Sequence, residues 1–262
     1  MKHLITLLTM VLLTTTSIFA GDLTGRQIIE KVYNRKTPKS QQAILKMTLV
    51  NKQGKERVRK IKQISKDFGD VEKNIMFFMS PADVKNTSFM NWSYDKAGKD
   101  DDQWIYLPVI KKVKRISSDS KSDYFMGSDF TYDDLGDRKV DEDTHKLLRT
   151  EKFKGEDCYV VESKPKDSDY MYSKTLTWVI KGKDFGLKKE FYDEDGEHLK
   201  TLSVEKYENI DGYLIITKSV MKNIQKKHKT VMELSKIKVD KDISSKKFTE
   251  RMMKRGIKWW NP

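Results

Sequence analysis

The residues able to do bond chemistry are few and scattered. The histidines are His3, His145, His198 and His228, with no two at metal-binding spacing. The single cysteine, Cys158, has no second thiol for a bridge or a shared metal. Zinc and copper sites need clustered ligands, so this spacing speaks against a metal centre. Carboxylates do cluster, as Asp100-Asp101-Asp102 and as Asp133-Asp134 beside Tyr132. Such pairs can serve as general acid and base, but only with a partner and a pocket. In polar, turn-like sequence they read as solvated. There is no G-x-S-x-G elbow, phosphate loop or dinucleotide fingerprint. The chain therefore reads as a non-enzyme, with no catalytic residue, metal or cofactor to name. Cys158 sits in an alternating run with Val160 and has no close basic neighbour, so it reads as a buried structural thiol.

What the sequence offers instead is contact. Residues 103–135 hold a strand-like run, Trp104-Ile105-Tyr106-Leu107, stopped at Pro108, which lacks the N–H that a sheet ladder uses. A basic run follows, Lys111, Lys112, Lys114 and Arg115, interleaved with Val113 and Ile116. After the polar stretch 117–123 comes an aromatic cluster, Tyr124, Phe125, Met126, Phe130 and Tyr132. Gly127-Ser128-Asp129 reads as a turn inside it. Upstream lie Phe77, Phe78, Phe89 and Trp92, with Met76, Met79 and Met90. Aromatics supply area and methionine fills irregular shapes, so this set is either a core or the lining of an adaptable apolar cavity. Trp259 and Trp260 stand in the tail and suit a sheet edge or a lipid or protein interface.

Those residues need a frame. Residues 1–20 have a basic start, an apolar run over Leu4–Leu13 and an ending at Ala20, the pattern of a secretory signal cleaved after Ala20. The apolar run is too short to span a membrane. No cysteine follows the cleavage point, so a lipoprotein anchor has no attachment residue there. About 240 residues remain, with no composition break marking a linker, which predicts one domain over 21–262. The formal charge of +13 is spread along the chain. Export sets nucleic acid aside as a partner. The lysines are then either the solvated face of a sheet or a contact with an anionic membrane or acidic protein face.

Asp22–Arg35 carries helical spacing, with Leu23, Ile28, Ile29 and Val32 near one face and Asp22 or Thr24 as cap. From Gln41 the apolar period changes to two, and turn signals recur at 51–54, 154–156, 182–186, 193–196 and 209–212. About eleven strands in an antiparallel meander follow from this spacing. A short helix over Ser244–Arg255, capped by Ser244, closes the order. A sheet this wide curls, and its concave face must be filled by helices, side chains or ligand.

Residues 80–135 also carry a resemblance. Pro81 with Asp83, Thr87-Ser88-Phe89 leading to Trp92, Trp104 through Pro108, Arg115-Ile116 and Phe125-Met126-Gly127-Ser128-Asp129-Phe130 together resemble the outer-membrane lipoprotein-sorting proteins of the LolA/LolB-like superfamily. The resemblance extends more loosely over the rest of the mature chain. It implies a mainly β fold, an incomplete antiparallel barrel with helices covering the concave face. It further implies a periplasmic carrier that shields lipid or lipoprotein acyl chains, and an RND-type (MMPL-like) inner-membrane exporter as partner. On this reading Phe78, Phe89, Trp92, Trp104, Tyr106, Leu107, Phe125, Met126 and Phe130 are candidates for acyl contact. Strand alternation must turn some of them away. Lys111, Lys112, Lys114 and Arg115 are candidates for the membrane or partner surface. The rival reading is a non-enzymatic adaptor, its barrel filled by its own side chains, docking a transporter or sensor. An apolar cavity favours the first and an exposed apolar patch the second.

Overall fold

The computed structural model describes residues 23–96 and 98–259, Trp259 by its backbone alone. The expected signal segment and Trp260 lie outside the described residues. Short turns between alternating runs give antiparallel neighbours, and the strands form one sheet of thirteen, open at both edges, an incomplete barrel. β1 (Ser40–Val50), β2 (Glu56–Asp67), β3 (Val71–Ser80), β4 (Ser88–Tyr94), β5 (Asp102–Leu107) and β6 (Lys112–Arg115) run outward in one direction. The second run starts at the far edge. It holds β7 (Asp143–Phe153), β8 (Glu156–Pro165), β9 (Lys174–Ile180), β10 (Phe185–Tyr192), β11 (His198–Ile210), β12 (Tyr213–Asn223) and β13 (His228–Val239), which pairs with β1. Thus β6 and β7, consecutive in sequence, are the two outer edges. Residues 116–142 must cross the whole sheet between them, and they do so in 3-10 turns and irregular chain.

The count exceeds the eleven or so strands expected from sequence. β6 shows why: it holds three cations in four residues, and its pairing of Trp104 with Arg115 and Leu107 with Lys112 is visible only across the hairpin.

Cross-strand partners share a face, and adjacent residues in one strand do not. We call inner the face that residues 116–142 cover. It carries Leu45, Met47, Ile61, Met76, Phe78 and Phe89, with Phe125 of the crossing segment packed on them. Burying each ring is worth about 1.5–3 kcal/mol. The helix α1 (Gly25–Tyr33) lies on the same face at the β7–β8 edge, where Ile28 meets Val161 and Val179. Thr24 caps it in a reciprocal pair with Gln27, and Asn34 ends it, one turn short of the expected span. α2 (Glu250–Arg255) lies on the outer face instead. Its Met252 and Met253 pack with Ile64, Ile75, Phe77 and Met90. The C-terminal helix is also shorter than the sequence predicts. Ser244 caps a separate 3-10 turn, and the helix restarts after the fully buried Phe248, with Thr249 as its cap. The outer faces of β8–β10 hold a further cluster that buries Cys158 with Val160, Trp178 and Phe185.

Candidate functional site

The crossing segment is held to the inner face mostly by polar groups. Asp129 is 2 % exposed. One of its carboxylate oxygens accepts from Thr230 Oγ1 and lies 2.7 Å from His228 Nδ1, both on β13, while its backbone N–H donates to Thr230. Lys200, fully buried on β11, donates to the Asp129 carbonyl and pairs with Asp134 at 2.5 Å. Asp134 also accepts from the Tyr172 hydroxyl at 3.0 Å, and Asp133 accepts from Tyr170. Arg138 clasps Asp143 in a bidentate pair and lies over the Tyr170 ring. At the other end, Gln103 Nε2 donates to the Tyr132 carbonyl. Burial pulls the Lys200 ammonium below its usual range, with Asp134 acting against that pull. Burial, reinforced by Asp134, pushes the Asp133 carboxyl above its own. Asp133 and Asp134 are therefore not the solvated turn their sequence context predicts. Asp129 is likewise an anchor between strands and not merely part of a turn.

Two adjoining cavities open beside this segment. The inner chamber is about 290 Å³, with an apolar floor of Phe130, Tyr172, Phe191, Leu202 and Met221. Lys189 stands in it, its ammonium 5.2 Å from the Phe191 ring and without an ion pair among the described residues. The chamber shares Asp133, Gly136, Asp137, Arg138 and Tyr170 with an outer vestibule of about 620 Å³. The vestibule is polar. Ten of its lining residues are Asp or Glu and four are Lys or Arg, against a chain of formal charge +13. Among the described residues no cluster of three or more His, Cys, Asp or Glu has metal-binding geometry, and no helix is long and apolar enough to cross a membrane.

The nine candidate contact residues do not meet in one place. Phe78, Phe89 and Phe125 pack together, with Phe125 ring centroids 6.0 Å from Phe78 and 5.0 Å from Phe89. Half-buried Met126 joins their cluster, and its carbonyl accepts from Arg59. Phe130 lies farther along, in the chamber floor. Trp92, Trp104 and Tyr106 are on the outer face with α2, the two indoles 5.2 Å apart. Leu107 is half-buried at the end of β5. Lys111, Lys112, Lys114 and Arg115 are exposed on the β5–β6 hairpin, Arg115 paired with Asp102. Between strands the hairpin tip exposes Val109 by 89 % and Ile110 by 45 %. Sequence reasoning missed Lys189 and Lys200, reading the lysines as a solvated sheet face or a surface for anionic partners. The available signal was phase, since Lys200 alternates with Leu202 and so shares its face.

A family model described as an uncharacterized-protein-like family matches residues 70–255. No curated protein matches the chain. Among solved structures, the chain is similar to a domain from Vibrio parahaemolyticus that carries the name outer membrane lipoprotein-sorting protein. The two share 35 % identity and a TM-score of 0.83, over 88 % of this chain and 98 % of that one. A DUF1329 family protein from Desulfovibrio piger matches at 31 % identity and TM-score 0.83, over 87 % and 97 % of the two chains. A LolA superfamily protein from Nitrosomonas europaea shares the fold at 24 % identity and TM-score 0.68, over 88 % and 99 %.

Proposed function

Since the chain belongs to the outer-membrane lipoprotein-sorting protein family, we propose that it is a periplasmic, non-enzymatic carrier that shields the acyl chain of a lipid or lipoprotein on its inner face. One observation carries this reading. The apolar strip of the inner face is covered by an irregular connecting segment, and beside Phe130 that covering leaves a chamber of about 290 Å³ with an apolar floor. Each methylene laid there gains about 0.8 kcal/mol. Three or four methylenes therefore offset the displacement of one buried ring such as Phe125, whose burial is worth about 1.5–3 kcal/mol. Small adjustments of the covering segment can thus lengthen the chamber at little net cost. The polar anchors at Asp129, Asp134 and Lys200 keep the rest of the segment in place.

Uptake of a fluorescent fatty acid by the mature protein tests the reading. Leu202→Trp fills the chamber and is expected to lower uptake at least tenfold while circular dichroism stays native. Trp104→Ala, on the outer face, is expected to leave uptake unchanged. A wild-type protein that takes up no acyl probe would remove the carrier reading. Unchanged uptake by Leu202→Trp would move the acyl site elsewhere.

The β5–β6 hairpin offers the docking end. An exposed Val109-Ile110 tip flanked by Lys111, Lys112 and Lys114 suits an anionic bilayer surface, with the apolar pair entering the headgroup region and the cations pairing with phosphates. An RND-type exporter seated in that bilayer is the partner we place there. The same tip favours the adaptor as second reading. In that case hairpin substitutions weaken partner capture in a protein that takes up no lipid.

A further inference from the structure

The vestibule reverses the sign of the molecule. Its ten acidic and four basic lining residues face each other in a protein whose formal charge is +13. Much of the cationic side is already engaged. Lys121 pairs with Asp100 at 3.4 Å, Arg138 with Asp143, and Lys99 lies 3.2 Å from the Tyr94 ring centroid. Lys166 is exposed at the rim. Asp101 is fixed by Asn91 Nδ2, Ser93 Oγ and the backbone N–H of Asp137, all donating to one of its oxygens. Next to it stands a second feature. Gln103 lines the same vestibule, is 1 % exposed, and its Oε1 has no protein donor among the described residues. Its cross-strand neighbour Asn91, 4 % exposed, leaves its Oδ1 in the same condition. Their amide nitrogens are already committed, to the Tyr132 carbonyl and to Ser93 and Asp101, so turning either amide over would set oxygen against oxygen. Buried acceptors are costly unless a donor reaches them. Of the ten acids, Asp100, Asp137, Asp141 and Glu142 pair with cations, and the other six hold none among the described residues, which together with Gln103 leaves acceptors in excess.

We propose that the vestibule binds the ammonium group of an amine-bearing amphiphile whose hydrocarbon tail lies in the adjoining chamber. The inference rests on the carrier reading and adds the chemistry of the cargo's head. The two compartments meet at Asp133, Gly136, Asp137, Arg138 and Tyr170, with Arg138 held by Asp143, so a molecule with its tail on Phe130, Phe191 and Met221 emerges beside the carboxylates of Asp133 and Asp137. A primary ammonium supplies three donors and no acceptor, the complement of Gln103 Oε1 and the Asp101 carboxylate. The cation in the chamber, Lys189, stands over apolar floor and makes the opposite choice, an anionic head, the competing outcome.

The test is binding of three twelve-carbon probes of one chain length, dodecylamine, dodecanol and dodecanoate, measured by displacement of the fluorescent fatty acid at two salt concentrations. The amine is expected to bind at least tenfold more tightly than the alcohol, and its advantage to shrink as salt rises. Asp167→Asn with Asp169→Asn removes two exposed rim charges at little risk to the fold and is expected to cut the amine's advantage to about threefold. Equal affinity for all three probes would overturn the inference and leave the carrier intact. Preference for dodecanoate would overturn it in favour of Lys189. Binding of the free short amine propylamine as tightly as dodecylamine would also overturn it, by detaching the head site from the chamber. No binding by any twelve-carbon probe would overturn the carrier reading itself.

Discussion

At the scale of single residues, Lys200 governs how firmly the crossing segment is held. Its ammonium is fully buried, and it links β11 to both Asp134 and the Asp129 carbonyl. Removing one partner of a buried ion pair leaves a lone charge and typically costs about 3–5 kcal/mol. Lys200→Met strands Asp134 and is expected to lower the unfolding free energy by about that amount in urea titration. Lys200→Met combined with Asp134→Leu is expected to recover part of the loss, because no lone charge remains. If the single and double variants are equally unstable, packing and not charge is what Lys200 supplies. The ion pair itself was not legible in the sequence. A lysine inside an alternating strand looks solvated unless its phase is followed, and the partner acid lies on a segment far away in the chain. Asp129, Asp133 and Asp134 likewise sit among Gly, Ser and Thr, the composition of a turn. The chain there does turn, but against the sheet and not into water.

At the scale of elements, hairpins were legible because each is set by local period and by turn residues. The meander, the N-terminal helix and the strand end at Pro108 follow from that. The covering of the inner face was not legible, because an irregular segment has no period to read. Helices were expected to fill that place. One of the two lies on the outer face, and the 116–142 segment does most of the covering. Phe125 is its principal apolar contact, fully buried against Phe78 and Phe89. Phe125→Ala is expected to cost about 3–5 kcal/mol, as large ring truncations in cores do. It also leaves apolar space beside the chamber. Saturating fatty acid is then expected to restore more stability to Phe125→Ala than to wild type, read as a larger shift in Tm. Equal shifts would mean that the acyl site and the Phe125 pocket are not connected.

At the scale of the molecule, charge is distributed in two opposed regions. The hairpin with its exposed Val109-Ile110 tip is cationic, and the vestibule is acidic. On the proposed docking to an anionic surface the hairpin would lead, because like charge keeps the vestibule away. Co-sedimentation with phosphatidylglycerol vesicles is expected to exceed that with phosphatidylcholine vesicles and to fall with salt. Val109→Asp with Lys111→Glu and Lys112→Glu is expected to abolish the difference without loss of acyl uptake. Vesicle binding that survives those substitutions would place the membrane contact elsewhere. The sequence disclosed the basic run but not the bare tip beside it, since exposure at a hairpin apex depends on where pairing stops. Cavity lining was equally hidden: the vestibule gathers acids from residues 100, 137, 167 and 194 that no local window joins.

The pairing of β1 with β13 at the centre of the sheet has a kinetic consequence. Gln41 meets Val239 and Val50 meets Lys229, so the middle joint brings together the two ends of the domain, while each outward meander is local. Closing so long a loop carries a high entropic cost, and topologies ruled by distant contacts fold slowly. Two half-sheets can zip early, but they cannot join until residues 228–239 are available. A chain emerging from its amino end therefore keeps its two half-sheets apart until nearly all of it has appeared, and the inner face becomes continuous only when β13 pairs with β1.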